Sequence, residues 1–229
     1  RSVSRGLGDV YKRQDNINDV ACEAIRNGFT KYTPASGIED LKKAVSEKFK
    51  TFNKVDYGVD QIVISNGGKH SLTNIFTAII NEGDEVVIPA PFWLSYPEIV
   101  KLAGGVPVIV TTTPENDFKI TAQQLAEACT DKTKAFVLNS PNNPTGMIYT
   151  REELEALAKV IVEKDIYVVA DEMYEYLIYG EDEHVSIASL GKEIYDHTIT
   201  CSGLSKSYAM TGWRIGYTGA SKENTKLMS

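Results

Sequence analysis

"AFVLNSPNNPTGMIYTREELEALAKVIVEKDIYVVADEMY", residues 135–174, decides the fold. It opens with a short apolar run at 135–138 and passes through a Pro/Asn/Gly turn. A helix then starts at the Thr150 and Glu153 capping-box spacing, and a second apolar run follows at 166–170. Each run is too short for a typical helix and is continuous rather than alternating, the pattern of a strand covered on both faces. Strand, helix and strand in that order predict a parallel crossover unit.

The same alternation extends towards the amino end. "QIVIS" (61–65) precedes "HSLTNIFTAII" (70–80), "DEVVIPA" (84–90) precedes "YPEIVKLAG" (96–104), and "VPVIVTT" (106–112) precedes "TAQQLAEAC" (121–129), where Thr121 and Gln124 repeat the capping-box spacing. Before these, "NDVACEAIRNGF" (18–29) and "SGIEDLKKAVSEKF" (36–49) carry apolar residues at helical spacing, with Leu41, Val45 and Phe49 on one stripe. These patterns predict an α/β fold, a three-layer and largely parallel doubly wound sheet over 59–229, preceded by a helical segment at 15–58. Residues 1–14 lack periodicity and read as a non-native leader.

Composition narrows the partners. The 229 residues are 42% hydrophobic and 24% charged, with formal net charge −7 and no basic run, which disfavours nucleic acid and anionic membranes and favours a small-molecule ligand. Cys22, Cys129 and Cys201 are scattered and odd in number, so a reducing, cytoplasmic setting is expected. His70, His184 and His197 lack metal-ligand spacing and read as surface or hydrogen-bonded residues, so no metal is expected. No apolar stretch approaches the roughly 20 residues of a membrane helix.

In doubly wound sheets, ligands gather outside the carboxyl ends of the strands. The segments there are "NGGK", "PAPFW", "SPNNPTG", "DEMY" and "GLSKSYAMTGWRIG". Lys206 has no charged neighbour within seven residues, which predicts an enclosed amine, and an amine in a low-polarity site becomes a nucleophile towards carbonyls. Asp171 ends a buried run, where an unpaired carboxylate is costly. Amides near Gly67, Gly68 and Lys69 start a helix and suit an anion. Taken singly, these residues have plain readings: a turn aspartate at 171, a core aromatic at Trp93, a turn residue at Asn143, a glycine turn at 67–68 and an exposed lysine at 69. Dinucleotide, Walker and esterase motifs do not occur.

"GLSKSYAMTGWRIG", with "KYTPASGIEDL", "PAPFWLSYPE", "SPNNPTG" and "DEMY", resembles the class I, fold type I, aminotransferases that depend on pyridoxal 5'-phosphate, and is most similar to the bacterial aspartate aminotransferases. The resemblance implies the large cofactor-binding domain of that fold, incomplete here, with the small carboxy-terminal domain lying beyond Ser229. On it, Lys206 attaches the cofactor and shuttles the proton at the substrate's α-carbon. Asp171 partners the pyridine nitrogen, Asn143 and Tyr174 bind the ring hydroxyl, and Trp93 stacks on the ring. Gly67, Gly68, Lys69, Ser205 and Arg214 hold the phosphate, and Tyr32 reaches the phosphate of a neighbouring subunit in a homodimer. Lys69, Trp93 and Asn143 face the substrate, Lys69 meeting the distal carboxylate of a dicarboxylic amino acid.

The implied activity is transamination between an L-amino acid, aspartate foremost, and 2-oxoglutarate, by a ping-pong Schiff-base mechanism. A chain truncated at both ends is expected to be inactive by itself. Two other readings stay open: a carbon–sulfur β-lyase using the same cofactor, and a non-catalytic ligand-sensing domain of a transcription regulator.

Overall fold

Seven strands lie in one sheet in a computed structural model that describes residues 15–228. They are β1 (Ile62–Ser65), β2 (Glu85–Ala90), β3 (Val106–Thr111), β4 (Thr133–Asn139), β5 (Tyr167–Asp171), β6 (Thr198–Gly203) and β7 (Gly216–Gly219). Their order across the sheet is β1-β7-β6-β5-β4-β2-β3. Only β7 runs antiparallel to its two neighbours, so the sheet is largely parallel, as expected.

Helices close both faces, and the two-residue period of the strands assigns side chains between them. On one face, Val63, Val86, Ile88, Ala135, Val137, Val169 and Ile199 pack under α3 (Gly68–Ile79) and α4 (Ser95–Leu102). On the other, Val87, Phe136, Leu138, Val168 and Ala170 pack under α5 (Ala122–Ala128), α6 (Arg151–Glu163) and α7 (Lys192–His197). Fully buried side chains such as Leu72, Phe76 and Leu157 each contribute about 1.5–3 kcal/mol. Both capping boxes form: the Thr121 and Thr150 hydroxyls accept from the amides of Gln124 and Glu153.

The expectation of strands covered on both faces fails at β3, an edge strand in which Val106 and Ile109 are exposed. Before the sheet come α1 (Asp15–Arg26), with no buried residue, and α2 (Glu39–Lys48). The predicted stripe forms on α2: Val45 and Phe49 join Tyr57, Ile62 and Tyr217 in one buried cluster, with Leu41 packed against it, which fastens the 15–58 segment to the β1–β7 edge. The leader expected at 1–14 lies outside the described residues. After β6 come the single turn α8 (Leu204–Ser207), then β7, then α9 (Lys222–Leu227). No helix among the described residues is long and apolar enough to cross a membrane.

Register aligns the strand ends singled out from the sequence. Asn139 of β4 sits opposite Asp171 of β5, which sits opposite Cys201 of β6. By the strand period, Asn139 and Asp171 share the face that packs under α3 and α4, and the chain segments beyond them converge there.

Candidate active site

A cleft of about 320 Å³ opens at these strand ends, lined by Gly68, Lys69, Trp93, Asn143, Asp171, Tyr174, Ser205, Lys206 and Arg214, all singled out from the sequence. Gly67 adjoins it at the start of α3. Tyr32 stands apart, fully exposed in the loop between α1 and α2 and not part of the cleft wall.

Asp171 is the floor. It is 6% exposed, its Oδ2 accepts from the Tyr96 hydroxyl at 2.6 Å, and its Oδ1 accepts from the Met173 amide at 3.1 Å. Burial pushes the carboxyl up to about 6, against the lowering effect of these two hydrogen bonds; the neighbouring carboxylates Glu172 and Glu175 push the same way as burial. Among the described residues no basic side chain forms an ion pair with it, so this buried carboxyl faces the cleft without a cation. Tyr96 is held well above the usual phenol range, by burial first and then by the adjacent Asp171 charge.

The walls follow from local structure. The Asn139 amide donates to the Asp171 carbonyl at 2.9 Å, and its Oδ1 accepts from the Asn143 amide N–H at 2.8 Å. Asn143 is thereby fixed beside Tyr174, whose hydroxyl accepts from Asn143 Nδ2 at 3.3 Å. Burial raises the Tyr174 phenol, with the Asp171 charge second, while the Asn143 bond opposes both. Trp93 packs edge-on to Tyr96 with ring centroids 5.4 Å apart, and the Lys69 ammonium sits 5.1 Å from the Trp93 ring centroid. The Lys206 ammonium lies 5.7 Å from the Tyr174 ring centroid. Lys206 is half-buried, less enclosed than its sequence neighbours predict, because one side of it is open cleft.

The side of the cleft at Gly67 and Arg214 is built on close backbone approach. Gly67, at φ 88, turns the chain from β1 into α3, and the Arg214 guanidinium occupies the space that a Cβ at 67 would fill. Arg214 itself has φ 57 and donates from Nη1 to the Thr211 carbonyl at 2.8 Å. A Cβ at Gly216 would strike the Gly67–Gly68 peptide, so β7 and the start of α3 pack backbone to backbone. The free amides of the first turn of α3 and the Arg214 cation therefore face one region. Ser205 is buried at the same edge.

Sequence reasoning passed over Tyr96 and Asn139. The signal for Tyr96 was its position three residues after Trp93 in "PFWLSY", and for Asn139 its place at the end of an apolar run, as with Asp171. Of the two readings open for each histidine, surface or hydrogen-bonded, His184 is the second: its side chain is 2% exposed and its Nε2 lies 3.2 Å from Glu172 Oε2.

Comparison with known proteins accords with this geometry. The profile of the family described as Aminotransferase class I and II matches residues 9–228. An aspartate aminotransferase of Bacillus sp. (strain YM-2) is 51% identical over 228 residues, covering 99% of this chain and 58% of that protein. A probable aspartate/prephenate aminotransferase of Rhizobium leguminosarum bv. phaseoli is 49% identical, with 99% and 57% covered. Among solved structures, the Thermus thermophilus aspartate aminotransferase with maleate superposes at TM-score 0.92 with 45% identity, covering 95% of this chain and 56% of that one. The aromatic aminotransferase of Pyrococcus horikoshii OT3 gives TM-score 0.93 at 39% identity, with 95% and 58% covered. The chain thus spans a little over half the length of the relatives it matches.

Proposed function

The chain belongs to the class I and II aminotransferases, and from that premise we propose that it carries the cofactor site of a transaminase that uses pyridoxal 5'-phosphate. The amino group moves between an L-amino acid, aspartate foremost, and 2-oxoglutarate, in two half-reactions. The observation that carries this reading is Asp171, a buried carboxyl facing the cleft without a cation. A protonated pyridine nitrogen supplies that missing charge.

The donor set fits the rest of the group. Asn143 and Tyr174, already paired, are placed to hydrogen-bond a ring hydroxyl, and the face of Trp93 offers a stacking surface. Gly67, Gly68, Ser205, the first turn of α3 and Arg214 suit a phosphate dianion. When bound, the cofactor supplies an electron sink for the bonds at the substrate's α-carbon. Lys206 Nζ is the amine that would hold the cofactor and, once freed from it, would take and return the α-proton. Asp171, ionised, would be the partner that keeps a pyridine nitrogen protonated. Tyr96, bonded to Asp171 Oδ2, keeps the carboxylate oriented while Met173 fixes its other oxygen.

Lys69 gives the substrate preference. Its ammonium stands at the cleft beside Trp93, suited to the distal carboxylate of aspartate or glutamate, and the Thermus thermophilus relative was solved with maleate, a dicarboxylate. Tyr32, free of the cleft in this chain, is assigned to the phosphate of a second copy, which makes the working unit a homodimer. The three cysteines are unpaired, in keeping with the cytoplasm as the setting we infer.

The test is spectroscopic. Pyridoxal phosphate is added to the full-length parent protein, the visible spectrum recorded, then aspartate and then 2-oxoglutarate are supplied. Loss of the bound-cofactor band with aspartate and its return with 2-oxoglutarate are expected. A band indifferent to both refutes transamination of aspartate, and release of pyruvate and ammonia identifies the lyase instead.

A further inference from the structure

Behind the cleft lies a second polar cluster that none of the roles above uses. Glu172 and Glu175 are 3% and 1% exposed, and both follow directly on cleft residues in "DEMYE" (171–175). Their partners come from three separate parts of the chain. Lys48, at the end of α2, places Nζ 2.5 Å from Glu175 Oε1. Asn53 Nδ2 donates to Glu172 Oε2 and to Glu175 Oε2, each at 2.8 Å. The Ser202 hydroxyl, on β6, donates to Glu175 Oε1 at 2.7 Å. His184 Nε2 stands 3.2 Å from Glu172 Oε2. Burial opposes the His184 charge, yet the Glu172 carboxylate prevails and lifts the imidazole above its ordinary range. In return, His184 overcomes the effect of burial and holds Glu172 below the usual carboxylate range, each group favouring the charged form of the other.

Local structure serves this cluster. Residues Phe49–Asn53 form a π-helical turn, closed by Lys54 at φ 60, and that widened turn brings Asn53 under the sheet edge. The Lys48 ammonium lies 4.8 Å from the Phe49 ring centroid and 5.6 Å from that of Tyr217. The Glu175 amide donates to the Glu172 carbonyl at 3.0 Å, so the two carboxylates terminate one tight turn, and the residues inside and before that turn are Met173, Tyr174 and Asp171.

We propose that Lys48, Asn53 and His184 are positioning residues for the cofactor site: by anchoring Glu172 and Glu175 they fix the turn that presents Asp171 and Tyr174 to the cleft. The idea rests on the pyridoxal-phosphate reading for its consequence, though not for its geometry. Its logic is alternation, in which residues 171 and 174 face the ligand while residues 172 and 175 are tied to the amino-terminal segment and to the 176–186 loop. A change far from the cleft, on α2, therefore reaches the carboxylate that governs the ring nitrogen. The charged and titratable groups around Asp171 are Tyr96, Tyr174, Cys201, Glu172 and Glu175, with Lys206 across the cleft.

Two measurements test this. The carboxyl carbon of Asp171 is titrated by NMR in cofactor-free protein, and pyridoxal-phosphate affinity is read from absorbance. In Glu175→Gln, which removes a carboxylate that raises Asp171, the Asp171 midpoint is expected to fall. In Lys48→Met, cofactor affinity is expected to weaken about tenfold and to recover in Lys48→Arg, a recovery that a general loss of stability does not produce. An unmoved Asp171 midpoint together with unchanged affinity overturns the proposal, whatever happens to the melting temperature. If Glu175→Gln fails to fold, Asn53→Ser, which removes the amide that donates to both carboxylates without changing charge, decides by the affinity measurement. If the unaltered protein binds no pyridoxal phosphate, the functional reading falls, and the Asp171 midpoint alone judges the network.

Discussion

Replacing Asp171 with asparagine should stabilise the cofactor-free protein at neutral pH. The carboxyl is pushed from its ordinary 3.8 up to about 6, so the folded state binds its proton more tightly than the unfolded chain does. Below about pH 4 both states are protonated, and the group adds nothing to the pH dependence. Between about pH 4 and 6 the unfolded chain releases its proton first, and stability falls as pH rises. Above about pH 6 the loss is complete, and the shift of about two units corresponds to about 3 kcal/mol. Asparagine has the shape of the protonated acid, can still accept from the Met173 amide, and can donate to the Tyr96 oxygen. Urea unfolding at pH 3 and pH 7.5 is the assay. Asp171→Asn should match the wild type at pH 3 and exceed it by up to about 3 kcal/mol at pH 7.5. A difference that is equal at both pH values, or a wild type that is the more stable at pH 7.5, refutes the argument that Asp171 is held ionised without a cation. Saturating pyridoxal phosphate should reverse the ranking, because it supplies the missing charge to the wild type.

Other outcomes follow from the same geometry. Lys206→Ala should lose covalent cofactor attachment and transamination while far-ultraviolet circular dichroism stays unchanged, since the side chain lines a cleft rather than a core. Lys69→Ala should lower kcat/KM for aspartate and glutamate roughly tenfold to a hundredfold while leaving aromatic amino acids nearly untouched, and an equal loss for all substrates would confine Lys69 to the anion site. Gly216→Ala, which drives a methyl into the Gly67–Gly68 peptide, should cost about 1–3 kcal/mol in denaturant unfolding and weaken phosphate-dependent cofactor binding.

The parallel part of the sheet was legible because its strands are short continuous apolar runs between amphipathic helices, and both capping boxes fixed helix starts to the residue. β7 was not legible: Gly216 and Gly219 break the apolar pattern, and both glycines answer tertiary demands, one from the Gly67–Gly68 peptide and the other from the Tyr57 ring. β3 looked like its neighbours because sequence reports hydrophobicity, and only the sheet order makes it an edge. In the cleft, the residues at strand ends could be picked out by position, whereas Tyr96 acts through a hydroxyl whose target is 75 residues away. The network behind the turn was hidden for the same reason: Lys48 and Asn53 meet Glu175 across more than 120 residues of chain.

The antiparallel strand also sets an order of assembly. β1 has one neighbour in the sheet, β7, and its partners at 216–219 follow it by about 150 residues. As the chain leaves the ribosome, β2, β3, β4 and β5 can pair in sequence, while β1 and the glycine turn after it wait for nearly the last strand. That strand is also the one whose approach brings Arg214 against Gly67. The corner where Arg214 meets Gly67, proposed above for the phosphate, is therefore among the last parts of the sheet to close.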